Sequence, residues 1–469
     1  MSSSQATNGE PRSFDKTRTS ETVLQRITAL RAPRKLLGLE LALLLFAIAI
    51  GVAAIVIIDL TVLGHLSMTL VPSGAVFVAS LIALHIVIRR ITPDSDPLIM
   101  PIATLLNAIG IAMIYRIDLA VNLTGWDATS TRQLIWSTIA VVAAIVVLLV
   151  VRNHMVLFRY TYLTGLAAVI LLLLPMLPGI GQDINGARVW IHIGSFSFQP
   201  GEIAKILLAI FFAGYLVRNR DSLEMAGKKI LGIRFPRARD LGPLLVFWLA
   251  AMAVLVFQRD LGTSVLYFGL FLSMLYLATG RAGWIILGVG LFLAGGIIAS
   301  QTLGYVNSRF SIWLDPFADP YGAGHQLIQG LFGMANGGMT GTGLGQGYPQ
   351  DTTFSQSDFI IPSLGEELGL TGLFVILSAY LLLVARGLRV GFAGQDDFGK
   401  LLASGFAFTI AFQVFIVVGG VTRVIPLTGL TAPFLASGGS SLVSNWIIIA
   451  LLVLLSNSVR NRPKLVIRA

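Results

Sequence analysis

Apolar residues come along this chain in long runs separated by short polar segments. Runs of spanning length fall at 36–58, 68–88, 98–115, 133–151, 160–178, 201–217, 243–258, 263–280, 284–302, 367–386, 400–420 and 438–458. Each is close to the stretch of about 20 residues that a helix needs to cross the hydrocarbon of a bilayer. The pattern predicts an all-α polytopic integral membrane protein with about twelve transmembrane helices and both termini on one side. Residues 1–35 are polar and read as a mobile tail with a short surface-lying helix near 21–30. The first apolar run is long and has no A-x-A-like cleavage site near its end, so it reads as an anchor rather than a removable signal.

Lys and Arg decide the orientation. The loops on the side of the N-terminus hold 26 of the 33, the opposite side holds 6, and Lys205 lies within a span. Positive loops stay in the cytoplasm. Both termini, including a short tail at 461–469, are therefore expected inside, and the large 303–366 loop outside. Two other outer segments are substantial: 179–200, which suits a short hairpin on the membrane surface, and the Pro- and Gly-bearing 421–441.

Composition narrows the class. The chain is 55% hydrophobic with 12% charged residues, about half the roughly 25% of a soluble protein, and its mean hydropathy is +0.82. The net charge of +10 is spread over short interhelical loops, which fits anionic lipid and not nucleic acid. With no cysteine, disulfides, thiolate zinc sites and thiol catalysis are excluded.

The chemistry concentrates between Arg309 and Glu367. This stretch holds ten glycines from Gly322 to Gly347 and four aspartates, Asp315, Asp319, Asp351 and Asp358. Backbone this irregular cannot face lipid, and a long loop is usually functional, so it reads as the working surface. Asp358, in SQSDFIIP where the loop returns to the membrane, reads either as a partly desolvated base or as a solvated loop acid. Glu366 fits a capping box with Ser363. Glu202 and Lys205 share one helix face, as an ion pair or as a site for an anionic substrate. Arg259 and Asp260 suit a helix-end contact better than chemistry. The remaining outer-side ionisable candidates are Arg188, Arg309, Glu367 and Arg423. The five histidines have no metal spacing, and GGMTGTGLGQG lacks the strand and lysine of a nucleotide loop.

Five ordered stretches resemble the SEDS family of rod-shape (RodA), division (FtsW) and sporulation (SpoVE) proteins. They are NGARVWIHIGSFSFQPGEIAK (185–205), QRDLGTS (258–264), LDPFADPYGAGHQLIQG (314–330), SDFIIPSLGEELGLTG (357–372) and PFLASGGSS (433–441). The resemblance runs from about 97 to 460, leaving 36–96 as two extra helices. It departs from the family at Gly201 (for Ser), Arg259 (for Pro), Val189 before the tryptophan with Arg188 shifted by one, and Gln356-Ser357 (for His-Thr).

The resemblance implies a ten-helix core similar to GT-C-type, polyprenyl-phosphate-dependent glycosyltransferases. It implies polymerisation of lipid II into β-1,4 glycan on the outer face of the bacterial cytoplasmic membrane. Asp358 takes the place of the family's essential aspartate, as general base on the acceptor hydroxyl. Glu366 and Glu367 match its Glu-Glu pair. Lys205, Arg309 and Arg423 are the candidates for the diphosphate, with Glu202, Asp260 and Arg188 in the surrounding polar network. No metal site is assigned, although a divalent cation (Mg or Mn) would suit a diphosphate donor. The implied partners are a class B penicillin-binding protein transpeptidase, other elongation-complex membrane proteins and membrane lipids. The short C-terminal tail and the LDP…DP…GAG wording favour the elongation branch. The alternatives are a lipid II flippase and a division-branch polymerase. A flippase needs polar residues through the bilayer, whereas here they cluster at the outer face.

Overall fold

The computed structural model describes residues 37–184, 186–193, 196–220, 229–230, 233–234 and 238–460. The tails expected at 1–35 and 461–469 lie outside them. Among the described residues, ten helices are long and apolar enough to cross a membrane, and two shorter apolar helices, Thr161–Met176 and Gly242–Phe257, stand where the runs 160–178 and 243–258 were predicted. Every predicted run is therefore a helix. Ile99–Ala120, Pro200–Arg218, Asp397–Val421 and Gly439–Arg460 are the most buried, while Gly283–Thr302 leaves nearly all its apolar surface for lipid.

Without a hydrophobic drive between helices in lipid, close packing depends on small residues at the crossings. Gly110 shows this. A β-carbon there would lie 2.6 Å from the Leu435 α-carbon, so the 433–436 segment rests directly on the Ile99–Ala120 backbone. A β-carbon on Gly51 would come 2.7 Å from that of Ala108, which brings the first helix, Leu37–Ile58, equally close to the same element.

The segments expected outside differ from expectation in an instructive way. The 179–200 hairpin is a small antiparallel sheet of three strands, β1 (Gly181–Ile184), β2 (Ala187–Ile193) and β3 (Phe196–Phe198), with Gln182 opposite Trp190 and Ile191 opposite Phe198. The 303–366 loop is not structureless. It contains the helices Gly304–Leu314 and His325–Gly337, and its end already belongs to the helix Ile360–Ala393. That helix starts seven residues before the predicted run at 367, because Ile360, Ile361 and Leu364 bury an apolar face ahead of the acidic pair.

Gly369 breaks Ile360–Ala393 at φ 67°, ψ −173°. Such a break frees carbonyls that must find other donors. Here Thr342 N–H donates to Glu366 O (3.0 Å) and Gly343 N–H to Glu367 O (3.0 Å), while Leu370 N–H donates to Gly338 O (2.9 Å). The glycine-rich segment is thus the hydrogen-bonding partner of a broken helix. It needs glycine because a β-carbon on Gly341 (φ +83°) would meet the Leu368 carbonyl carbon at 2.6 Å.

Candidate active site

Four segments converge at one end of the bundle. They are the Gln258–Gly262 turn, the helix Gly304–Leu314, the return at 354–359, and the 427–430 stretch. Gly262 brings two of them together: a β-carbon there would sit 2.6 Å from Leu430 Cγ and 3.0 Å from Thr428 O. Asp260 caps Leu261–Thr279, its Oδ1 accepting from Thr263 N–H at 2.9 Å. Arg309 donates through Nη1 to Leu427 O at 2.7 Å.

Asp358 is half-buried, and its Oδ1 accepts from the Ser357 hydroxyl at 2.7 Å. Its other oxygen faces the Arg309 guanidinium across Gly429 (φ +76°). A β-carbon on that glycine would lie 3.9 Å from Asp358 Oδ2 and 3.8 Å from Arg309 Nη1. The two charges share a gap without closing into an ion pair. Burial raises the Asp358 pKa above the usual carboxylate value, while Ser357 and Arg309 act in the opposite direction. Burial raises Asp260 in the same way, again opposed by Thr263 and Arg309. Burial lowers the Arg309 pKa, and Asp260 and Asp358 push it back up; a guanidinium stays cationic throughout. The arrangement is a desolvated carboxylate able to take a proton, set against a fixed cation able to meet developing negative charge.

The other residues singled out from the sequence fall into different places. Lys205 is 2% exposed, 2.6 Å from Glu202 and 3.1 Å from Gln413 Oε1. Ser444 donates to Glu202 at 2.8 Å. This pair is closed, and of its two readings the ion pair is the one seen. It lies near the Asp260 side of the Asp358 group, since a β-carbon on Gly201 would be 3.9 Å from Thr263, the residue Asp260 caps.

Arg423 caps a helix. It donates to Trp313 O (3.1 Å) and Leu314 O (3.0 Å), the orphan carbonyls ending Gly304–Leu314. Arg188 is exposed on β2, with Asp183 at 3.8 Å. Arg259 is exposed and left-handed (φ 60°), beside the hairpin turn at Gly186.

Glu366 and Glu367 hold the glycine-rich segment from within the helix. Glu366 accepts from Tyr348 N–H at 2.9 Å, and Glu367 from Gly345 N–H at 2.9 Å. Glu367 also pairs with Arg116 Nε at 2.9 Å, and Arg116 Nη2 reaches Gly347 O at 2.7 Å. No capping box forms, because Ser363 is already inside the helix and donates to Ser355 O and Phe359 O.

Sequence reasoning missed Ser357 and Gly429 as site-lining residues, together with the Asp118–Gln356 contact (3.0 Å) that anchors the return beside Asp358. Ser357 was legible as the neighbour of the aspartate. The others are joined only by distant parts of the chain. Among the described residues no three His, Asp or Glu side chains form a set that could hold a metal ion. A divalent ion here would depend on single carboxylates and on a substrate's own phosphate oxygens.

Fold and site together define a multi-pass membrane protein with an acid–guanidinium centre at one end of its helical bundle. Comparison with known proteins narrows this class. The "Cell cycle protein" family model for FtsW, RodA and SpoVE matches residues 96–461. The chain is similar to the "Peptidoglycan glycosyltransferase RodA" of Mycobacterium tuberculosis, at 45% identity over 427 residues, covering 90% of this chain and 91% of the relative. It is also similar to a "Probable peptidoglycan glycosyltransferase FtsW" of Geobacter, at 34% over 371 residues, covering 78% and 97%. Among solved structures it resembles one described as "Structural coordination of polymerization and crosslinking by a peptidoglycan synthase complex", with 26% identity, TM-score 0.62, and coverage of 79% and 99%. The chain belongs to the FtsW/RodA/SpoVE family.

Proposed function

We infer that the chain is a peptidoglycan glycosyltransferase that polymerises lipid II into β-1,4 glycan strands for cell elongation. The observation that carries the chemical reading is Asp358, a desolvated carboxylate facing Arg309 across Gly429. The higher identity to the mycobacterial RodA than to the Geobacter FtsW supports the elongation branch. The charge asymmetry of the loops supports a topology with both termini in the cytoplasm and the Asp358 face outside.

In the reaction, Asp358 takes the proton from the 4-hydroxyl of the acceptor GlcNAc. That oxygen attacks the anomeric carbon of the donor MurNAc. The bond from this carbon to the diphosphate oxygen breaks, and undecaprenyl diphosphate leaves. A sugar hydroxyl is too weak an acid to ionise first, so proton removal accompanies attack. An α-linked donor gives the β product in a single inverting displacement. Arg309 meets the charge growing on the leaving diphosphate. Helix-lined lipid holds both reactants in the membrane plane and lowers the entropy cost of encounter. A divalent ion brought in with the diphosphate is compatible with this scheme, and adding a chelator to the polymerisation assay tests it. The likeness to a peptidoglycan synthase complex supports a penicillin-binding protein transpeptidase as partner; co-purification tests that.

Against the flippase, the buried polar side chains within the bundle are engaged with one another: Glu40 with His85, Glu202 with Lys205 and Arg116 with Glu367. The deciding experiment gives purified lipid II to the wild-type chain and to Asp358→Asn, beside a translocation assay in liposomes. Polymer from the wild type alone supports this reading. Polymer from the variant, or translocation without polymer, overturns it.

A further inference from the structure

The first two helices lie upstream of the family match, which starts at residue 96. A match covering 90% of the chain has to extend upstream of that point, so the mycobacterial relative carries part of this region. The first helix does not stop cleanly at Ile58. It widens into a looser turn, Asp59–Leu63, and ends at Gly64 in the left-handed region (φ 73°).

This turn places Asp59, 2% exposed, inside the protein. Both of its oxygens are engaged: Oδ1 accepts from the Tyr115 hydroxyl at 2.7 Å and Oδ2 from Ser67 N–H at 2.9 Å. Beside it, Thr61 and Val62 pack against Gly345 of the glycine-rich segment, where a β-carbon would come within 3.1 and 3.0 Å of them.

Tyr115 begins a set of three anchors at the outer end of Ile99–Ala120. The next residue, Arg116, binds Glu367 and Gly347 O. Asp118 accepts from Gln356, two residues before Asp358. One helix end therefore touches the extra helices, the glycine-rich segment and the segment carrying the carboxylate.

We propose that Asp59 is a positioning residue for glycan polymerisation, the tip by which the N-terminal helix pair braces the site. By holding Tyr115 it sets the end of Ile99–Ala120, and through Arg116 and Asp118 it sets the segments that aim Asp358. The proposal rests on the reading of Asp358 as the base. A purely structural role would lower stability and leave turnover intact. The control is Glu40, whose contact with His85 (3.1 Å) joins the two extra helices near the opposite end of the first.

The test uses the full chain in nanodiscs, with Tyr115→Phe, Asp59→Ala and Glu40→Gln compared with wild type. Steady-state polymerisation of lipid II and amide hydrogen exchange are both measured. Tyr115→Phe is expected to lower kcat about three- to fivefold, the scale of one buried hydrogen bond, with KM within about twofold. Exchange in 341–348 and 354–359 should speed up. Asp59→Ala should do more, and Glu40→Gln should change neither. Wild-type kcat in folded Tyr115→Phe would overturn the positioning role, whether or not its exchange speeds up. A wild-type protein that makes no polymer, with exchange still responding to Tyr115→Phe, would sink the catalytic reading and leave the brace standing.

Discussion

The Asp358–Arg309 group and the Arg116–Glu367 group use the same chemical groups, a carboxylate and a guanidinium, and end in opposite states. Arg116 and Glu367 are in contact at 2.9 Å, with side chains 6% and 0% exposed. Glu367 Oε2 also accepts from Gly345 N–H, and Arg116 Nη2 donates to Gly347 O. Asp358 and Arg309 face each other across a glycine and stay apart. A buried pair in contact is occupied with its partner and, here, with the backbone it holds. An open one keeps both its proton affinity and its field for an incoming molecule. In this chain, that difference sets Asp358 and Arg309 apart from Arg116 and Glu367 as candidates for chemistry.

The contrast breaks most sharply at Asp358. Asp358→Asn should cut the polymerisation rate by about 10²–10⁴-fold, the usual share of a general base, with the thermal unfolding midpoint near wild type. The reverse outcome is expected at the closed pair. Arg116→Met strands a buried carboxylate and should destabilise by about 3–5 kcal/mol, read as a fall in the unfolding midpoint in detergent. A variant that kept its stability would show that Arg116 and Glu367 are not a closed structural unit.

A smaller effect sharpens the open side. The Ser357 hydroxyl donates to ionised Asp358 and so lowers its pKa, against the upward pull of burial. On the proposed reading the base works only when ionised, so activity is expected to rise with pH through this pKa. Ser357→Ala removes the lowering contact, and the acid limb of the kcat/KM profile should move to higher pH while the plateau above it is kept. A limb that stayed in place would argue that another group titrates. The smallest effect belongs to Arg188, exposed and loosely paired. Arg188→Ala should change stability by under about 1 kcal/mol, and a large loss of polymerisation would show that the hairpin contacts substrate.

Much of this was legible in the residues. The twelve runs became twelve helices because a span is a local property: length and apolarity settle it one segment at a time. Asp358 could be singled out because its motif is continuous. Glu366 reads in the sequence as the last residue of the loop and Glu367 as the first of the next span, whereas the structure puts both inside the helix Ile360–Ala393, ahead of its break at Gly369 and under the donors of Thr342 and Gly343. Arg423 could not be told from a diphosphate ligand by position. It is committed to Trp313 and Leu314, more than a hundred residues earlier in the chain.

By itself the sequence determined the membrane class, the spans and the family, because hydrophobic transfer and short motifs are written in contiguous residues. Tertiary structure alone decided which charges are closed and which stay open. That choice depends on contacts such as Arg116 with Glu367 and Asp59 with Tyr115, and these form only when distant helices pack side by side.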